Sequence, residues 1–410
     1  MAASCRVATF VWRITQCITA MRRRRLLAFE VAALLALAQV SAMAEAQAAG
    51  TADQPDEFQI APFNAPVLPF GQAPKNGLSL SGHLDSEIIA VTAGGLSHQA
   101  ASDALLQLGG QLDTARAGLW RGGLFEFSIM GLKTNGNLPA QTGALQSVSN
   151  DWAANFLRVY QLTYKQDIGP SFVRAGIMDI NYYFADVGLA AQLQNASFGP
   201  VPTLTANADI ATFPTPGLGL MAGTELGGRW SAQAGVWQAN PPALSGALRS
   251  GALSLLELAK RKGRLADGQA QDVLKLGAWH ERQNDPLLGP STGGVYALGE
   301  HRWDVARGPQ LGAFVQLAAS NGRVNAVPYY VGAGLRVQRP FASRPADSAS
   351  VGIAHASLAG QKHPETVLEL NYAYALSRTV FIQPDLQRIW HPGGRYPGST
   401  VLGVRVHLEF

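Results

Sequence analysis

Residues Thr400 to Phe410 (TVLGVRVHLEF) constrain the fold of this chain more than any other stretch. At every second position, Phe410, Leu408, Val406, Val404 and Leu402 make one apolar face. Glu409, His407, Arg405 and Gly403 make the other, on which only Val401 is apolar. Strict period-two alternation describes a β-strand with one greasy side and one wet, charged side. An apolar face running out to a Phe would fray and stick at the end of a soluble sheet. A strand of about ten residues with this pattern instead predicts the closing strand of a transmembrane β-barrel.

The front of the chain carries export signals. Met21 opens a stretch with a positive region (Arg22, Arg23, Arg24, Arg25) and an apolar core from Leu26 to Val40. Small-x-small cleavage sites follow at Ala42-Met43-Ala44, Ala44-Glu45-Ala46 or Ala46-Gln47-Ala48. Residues 21–48 therefore read as a signal peptide. The apolar core is too short for a stable membrane helix and contains Glu30. Residues 1–20 fit no part of this design, which makes Met21 the expected start and the upstream residues a mis-assigned one. Six of the 32 basic and two of the 28 acidic residues lie in 1–48, leaving 26 of each and a net charge near zero after export. The basic balance of the whole chain thus gives no reason to expect a nucleic-acid partner. Cys5 and Cys17 both lie upstream, so the exported chain has no disulfide framework and no catalytic or zinc-binding thiol.

Beyond a Pro-rich segment over 49–77, the remainder, 78–410, reads as one all-β domain with turn signals throughout. Period-two alternation places sixteen strands at 78–92, 103–115, 124–132, 157–165, 171–179, 217–224, 230–238, 251–260, 272–282, 294–303, 311–318, 329–337, 351–357, 366–376, 380–389 and 400–410. In the first, Ser79, Ser81, His83, Asp85 and Glu87 oppose Leu80, Leu84 and Ile88. In the third, Glu126 and Ser128 oppose Phe125, Phe127 and Ile129. The second slips in phase around Gly109-Gly110, the pattern over 366–376 is blurred, and Ser250 to Lys260 reads equally well as a helix. An even count suits a bacterial antiparallel barrel. Gln166 to Pro170 and Ser377 to Thr379 are short turns, whereas 133–156, 180–216 and 390–399 are long loops. Such asymmetry is expected of a barrel with both termini toward the periplasm, Gln338 to Ser350 being an overlong turn on that side.

The chain resembles the carbohydrate-selective outer-membrane porins from about Leu78 to Phe410. The resemblance rests on LQSVSN (Leu145 to Asn150), RVYQLTYKQ (Arg158 to Gln166), VRAGIMDINYYF (Val173 to Phe184), LKLGAWH (Leu274 to His280), GVYALGE (Gly294 to Glu300), IQPDLQRIWHPGG (Ile382 to Gly394) and the terminal VLGVRVHLEF. It implies a sixteen-stranded barrel in the cell outer membrane with long extracellular loops, passing glucose and similar sugars to the periplasm by passive diffusion. A general or differently selective pore on the same barrel is the alternative. The loop 180–216 is then the candidate constriction, and Phe410 an assembly signal for the barrel-assembly machinery. The other expected partners are outer-membrane lipid and, in an oligomer, further copies. Gln161 and Lys165 stand where the family often has acidic residues, and Arg388 where an aromatic is expected.

Enzyme chemistry is not expected. The eight histidines form no metal-ligand spacing, there is no Gly-x-Ser-x-Gly elbow or Walker loop, and Gly332 and Gly334 lie within a strand pattern. No cofactor or metal is expected. The pore-lining candidates are the inward-facing charges Arg174, Lys275, Arg336, Arg405, Glu369 and Asp385, with Gln383 and Gln387 sharing the face of Asp385. Such groups keep a lumen wet and offer charge-assisted hydrogen bonds to sugar hydroxyls. His83, Asp85 and Glu87 are expected beside Arg405 once the barrel closes. Tyr182, Tyr183 and Phe184 are the constriction-loop aromatics and Trp152 an earlier one, flat faces for the C–H groups of a sugar ring. Tyr329, Tyr372, Tyr374 and Phe410 are expected outside, in the interfacial girdles.

Overall fold

The computed structural model describes residues 76–239, 251–263, 265, 270–284, 290–304 and 308–410. The readings of 1–20, of 21–48 and of nearly all of 49–77 lie outside them. Sixteen antiparallel strands close into a barrel: β1 Leu78–Ala93, β2 Ala100–Asp113, β3 Gly123–Asn135, β4 Phe156–Ile168, β5 Ser171–Met178, β6 Gly217–Gly227, β7 Trp230–Gln238 and β8 Gly251–Lys262, then β9 Asp272–Gln283, β10 Thr292–Asp304, β11 Gln310–Ser320, β12 Tyr329–Gln338, β13 Ser348–Ala356, β14 Glu365–Ala375, β15 Val380–Trp390 and β16 Ser399–Glu409. Each strand pairs with its sequence neighbour, and β1 pairs with β16 through His83↔Glu409, Asp85↔His407 and Glu87↔Arg405. The sixteen expected strands all form, with ends shifted by a few residues. No helix among the described residues is long and apolar enough to cross a membrane.

Period two explains both faces. On β14, Leu368, Leu370 and Tyr374 point out and are substantially exposed, whereas Glu369 and Asn371 point in and are buried. Outward Leu, Ile, Val and Phe make the apolar band that the bilayer requires. Tyr329 and Trp390 stand outward at one rim, and Tyr374, Trp303 and Phe410 at the other. Tyr372 also faces outward and donates its O–H to Asp347 at 2.6 Å.

Three irregularities have local causes. β2 shows no slip: its ladder to β1 runs unbroken through Ser81↔Gly109 and Leu80↔Gly110. Gly110 holds an outward position, and a Cβ there would sit 3.0 Å from the ring of Phe127, so Phe127 covers the place where the pattern lacks a side chain. The segment 251–260, readable as a helix, is strand β8; both of its faces are apolar because Leu253 and Leu255 pack inward against the lumen filling. On β4 the register shifts opposite Ser128 and Ile129, a bulge that turns the adjacent Tyr160 and Gln161 both into the lumen.

The connections alternate. The strand ends near Leu78 and Glu409 share a side with the turns 169–170, 228–229 and 376–379, the periplasmic side of such barrels. The long turn expected near 338–350 spans 339–347, braced by Arg344 bonded twice to Asp347 at 2.9 and 3.0 Å. Thr114 to Gly122 makes a second long connection on that side. The other end carries loop L2 (136–155), loop L3 (179–216), L7 (357–364) and L8 (391–398).

Candidate functional site

The lumen is not lined by strand side chains alone, because L2 and L3 fold into it. L3 leaves β5 at Met178 and turns on Asp179, whose carboxylate accepts the Asn181 N–H at 2.8 Å and the Phe213 N–H at 3.2 Å. The bulged Tyr160 donates its O–H to the same carboxylate. From there L3 crosses the barrel, hung on inward carboxylates that accept its backbone N–H groups. Glu257 on β8 takes Ala185 at 3.0 Å, Glu300 on β10 takes Leu189 at 3.0 Å, and Glu281 on β9 takes Asp209 at 2.9 Å. Glu369 on β14 takes two successive N–H groups, Gln194 at 2.6 Å and Asn195 at 2.8 Å. Tyr330 on β12 donates to the Ser197 carbonyl at 2.8 Å, and Gln316 on β11 to that of Phe198 at 3.2 Å. Charge-assisted bonds to backbone N–H groups are about twice as strong as neutral ones, so this fixes a loop with little secondary structure of its own.

L2 is held in the same way from β14, β16 and β1. Glu365 accepts Leu145 at 2.8 Å, Gln146 at 2.7 Å and, from L8, Gly393 at 2.5 Å. Ser149 donates to Glu87 at 2.7 Å, and Arg405 reaches Asn150 at 2.6 Å and Asp151 at 3.0 Å while pairing with Glu87. The two loops then bond to each other, Asn150 N–H to the Gln194 carbonyl at 2.8 Å and Ala196 N–H to that of Ser147 at 2.9 Å. Their apolar residues, Phe184, Leu193, Phe198 and Val148 among them, join inward Trp237, Leu255, Val367 and Val401 in one core inside the barrel.

Between L2 and L3 lies a cavity of about 540 Å³, lined among others by Ser149, Asn150, Trp152, Asn181, Asp209 and Phe213. That size falls in the roughly 300–1,000 Å³ range of small-molecule sites. The lining combines flat aromatic faces with amide, hydroxyl and carboxylate groups.

The eight inward residues singled out in the sequence all face the lumen and are at most 8% exposed. None lines this cavity. Arg174 pairs with Glu126, donates to the Tyr183 hydroxyl at 3.2 Å and lies 4.9 Å from the Tyr183 ring centre. Lys275 bonds Asp186 of L3 at 2.6 Å. Gln383 donates to the Gln192 carbonyl at 3.1 Å. Gln387 donates to the Val148 carbonyl at 2.7 Å and to Asp385 at 2.9 Å, and accepts from Asn195 at 3.0 Å. Arg336 donates to Ser348 at 3.3 Å. Asp385, Gln383 and Gln387 do share one face, and the ladder to β14 is interrupted beside Pro384, which has no N–H. His83, Asp85 and Glu87 stand beside β16, with Asp85 2.6 Å from His407.

The aromatics separate. Phe184 is fully buried, edge-on to Trp237 at 5.6 Å. Tyr183 accepts from Gln161 at 2.7 Å, and Tyr182 meets Gln107 at 3.4 Å, leaving both half-buried. Trp152 and Phe213 are the two that line the cavity. Phe213, Asn150, Asn181 and Asp209, and the anchoring Glu257, Glu281, Glu300 and Glu365, were not singled out from the sequence. Glu257 was recoverable as an inward charge between outward Leu256 and Leu258, but Glu281 stands between His280 and Arg282, Glu300 between Gly299 and His301 and Glu365 between Pro364 and Thr366, so no polar–apolar alternation marks them; the loop residues follow no periodicity. Gln161, Lys165 and Arg388, the departures from the family pattern, bond respectively to Tyr183, to Asp167 at 2.7 Å and to Thr400 at 3.0 Å. No cluster able to hold a metal ion occurs among the described residues.

Residues 97–296 and 276–410 match the model of the carbohydrate-selective porin, OprB family. Among solved structures, the chain is similar to the high-pH structure of Pseudomonas putida OprB, with 18% identity over 82% of this chain and 94% of that chain and a TM-score of 0.73. The low-pH structure of the same protein gives 17% identity over 82% and 93%, with a TM-score of 0.56. No curated protein matches the chain in sequence.

Proposed function

The chain belongs to the carbohydrate-selective porin family, outer-membrane barrels through which sugars diffuse, and from that premise we propose that the sugar is read between L2 and L3. The observation that carries this reading is the cavity of about 540 Å³. Trp152 and Phe213 offer flat faces to the C–H side of a pyranose, and Asn150, Asn181, Ser149 and Asp209 offer donors and acceptors to its hydroxyls. Passage needs no energy source, because binding here is made of a few weak contacts that form and break as the sugar moves down its gradient.

On this reading Arg174, Lys275, Glu369, Gln383, Gln387 and Arg405 act on selectivity chiefly by holding L2 and L3 in place, Asp385 acts through Gln387, and Arg336 lines the wall beside Ser348. Tyr182 and Tyr183 extend the wall beside Asn181. Phe410 serves assembly of the barrel in the outer membrane.

Swelling of proteoliposomes in glucose, a disaccharide, an amino acid and a small anion tests the reading. Glucose is expected to enter faster than an amino acid of similar size. Trp152→Ala and Phe213→Ala should each weaken glucose-induced current block about two- to tenfold, the worth of one aromatic contact. Small-ion conductance should hold. Rates that follow solute size alone, with both variants unchanged, would favour the general diffusion pore and remove the cavity as the reading site.

A further inference from the structure

We propose that the extracellular rim over β13–β16 binds the phosphorylated headgroup of an outer-leaflet lipid. The outward positions near the extracellular strand ends include Lys133, His280, Arg282, His355 and Arg388, and among the described residues no outward strand position there carries Asp or Glu. The charge asymmetry is thus built into the lipid-facing surface at one end of the barrel.

The basic groups converge over the last four strands. Arg388 is two positions above outward Leu386, directly over the apolar band, where lipid phosphates lie. Its guanidinium donates to Thr400 at 3.0 Å and lies 6.0 Å from the ring centre of Trp390. His355 meets Thr366 at 2.8 Å on the same outer surface, and Thr366 faces Trp390 across the ladder. Above them His363 of L7 stacks on His391 of L8 at 4.3 Å and 17°. The His363 N–H donates to the Gly394 carbonyl at 3.2 Å, tying the two loops together. Lys362 and Arg395 are exposed on these loops.

No acid balances this set. Among the described residues, Lys362, Arg388 and Arg395 have no carboxylate partner. The nearest acid in sequence, Glu365, is buried inward on three backbone N–H groups. Loss of water and the neighbouring charges of His391 and Lys362 push the His363 imidazole below its ordinary pKa. Like charges gathered at a membrane surface repel unless an anion sits among them, and a phosphate ester offers oxygens to an Arg fork and to Lys together. Arg388 selects the source: it lies on the lipid-facing wall, one outward residue above the hydrocarbon, where an acyl-anchored phosphate is held and a free one is not.

The site is separate from the sugar path, so the two readings fail separately. The test uses the purified full-length protein and native mass spectrometry with bisphosphorylated lipid A, dephosphorylated lipid A and inorganic phosphate. The wild type is expected to retain the bisphosphorylated form and lose the dephosphorylated one. R388Q and the loop pair K362Q/R395Q should weaken retention about fivefold per charge removed. K260Q, at the periplasmic rim, should change nothing, and glucose swelling rates should match wild type throughout. Equal retention of both lipids, full retention by the triple variant, or displacement of the lipid by millimolar phosphate would overturn the proposal. Should R388Q fail to insert, as judged by heat-modifiable mobility, the loop pair decides alone.

Discussion

At the scale of single residues, Glu369 and Gly82 have the sharpest consequences. One Glu369 carboxylate holds Gln194 and Asn195 at 2.6 and 2.8 Å, and each such bond contributes roughly 1.5–3 kcal/mol. Glu369→Ala is expected to loosen L3, raising single-channel conductance in planar bilayers and blunting sugar discrimination; an unaltered conductance would mean that L3 stays put without it. Alanine at Arg174, Arg405, Asp385 and Gln387 together should likewise disturb conductance as well as sugar block, since three of these bond L2 or L3 directly. Gly82 pairs with Phe410 at 2.7 and 2.9 Å, and a Cβ there would meet the Phe410 ring at 2.6 Å. Gly82→Val and deletion of Phe410 should therefore both reduce heat-modifiable, membrane-inserted protein while leaving export intact. Wild-type amounts of Gly82→Val would show that the ring is free to move aside.

At the scale of elements, the strands were legible because the bilayer imposes alternation on every one of them. The pattern weakened at Gly110, where the outer face lacks a side chain, and where the inner face is apolar as well. Leu253 and Leu255 on β8 and Val367 on β14 turn inward, yet meet a hydrophobic filling instead of water. That filling is supplied by L2 and L3, whose folds depend on carboxylates far away in sequence, and no local pattern records such a partnership. For the same reason the inward charges were found but not their use: period two gives a side chain's direction and not what it touches. On the outer face the rule is simple. Leu370, at the middle of β14 and 52% exposed, faces the hydrocarbon, and Leu370→Arg should cost about 2–4 kcal/mol. Denaturant unfolding from lipid bilayers measures this, and a cost near zero would put Leu370 outside the apolar band.

At the scale of the whole molecule, formal charge cancels along the sequence, while the lumen keeps an excess of carboxylates. Residues 49–410 carry 26 basic and 26 acidic residues; the lumen pairs Arg174 with Glu126, Lys275 with Asp186, Arg302 with Glu300 and Arg405 with Glu87, whereas Glu281, Glu365 and Glu369 bond backbone N–H groups. A modest preference for cations is expected; a reversal potential near the ideal limit for either sign would contradict it. L3 has a further consequence as a mechanical part. It is bonded to side chains on β8, β9, β10, β11, β12 and β14, so it spans the tube as spokes span a rim. A bare tube under the uneven lateral pressure of a membrane can flatten toward an ellipse, and its opening changes as it does. A spoked one resists ovalisation, so the aperture presented to a sugar stays constant while the bilayer around it is stretched or compressed.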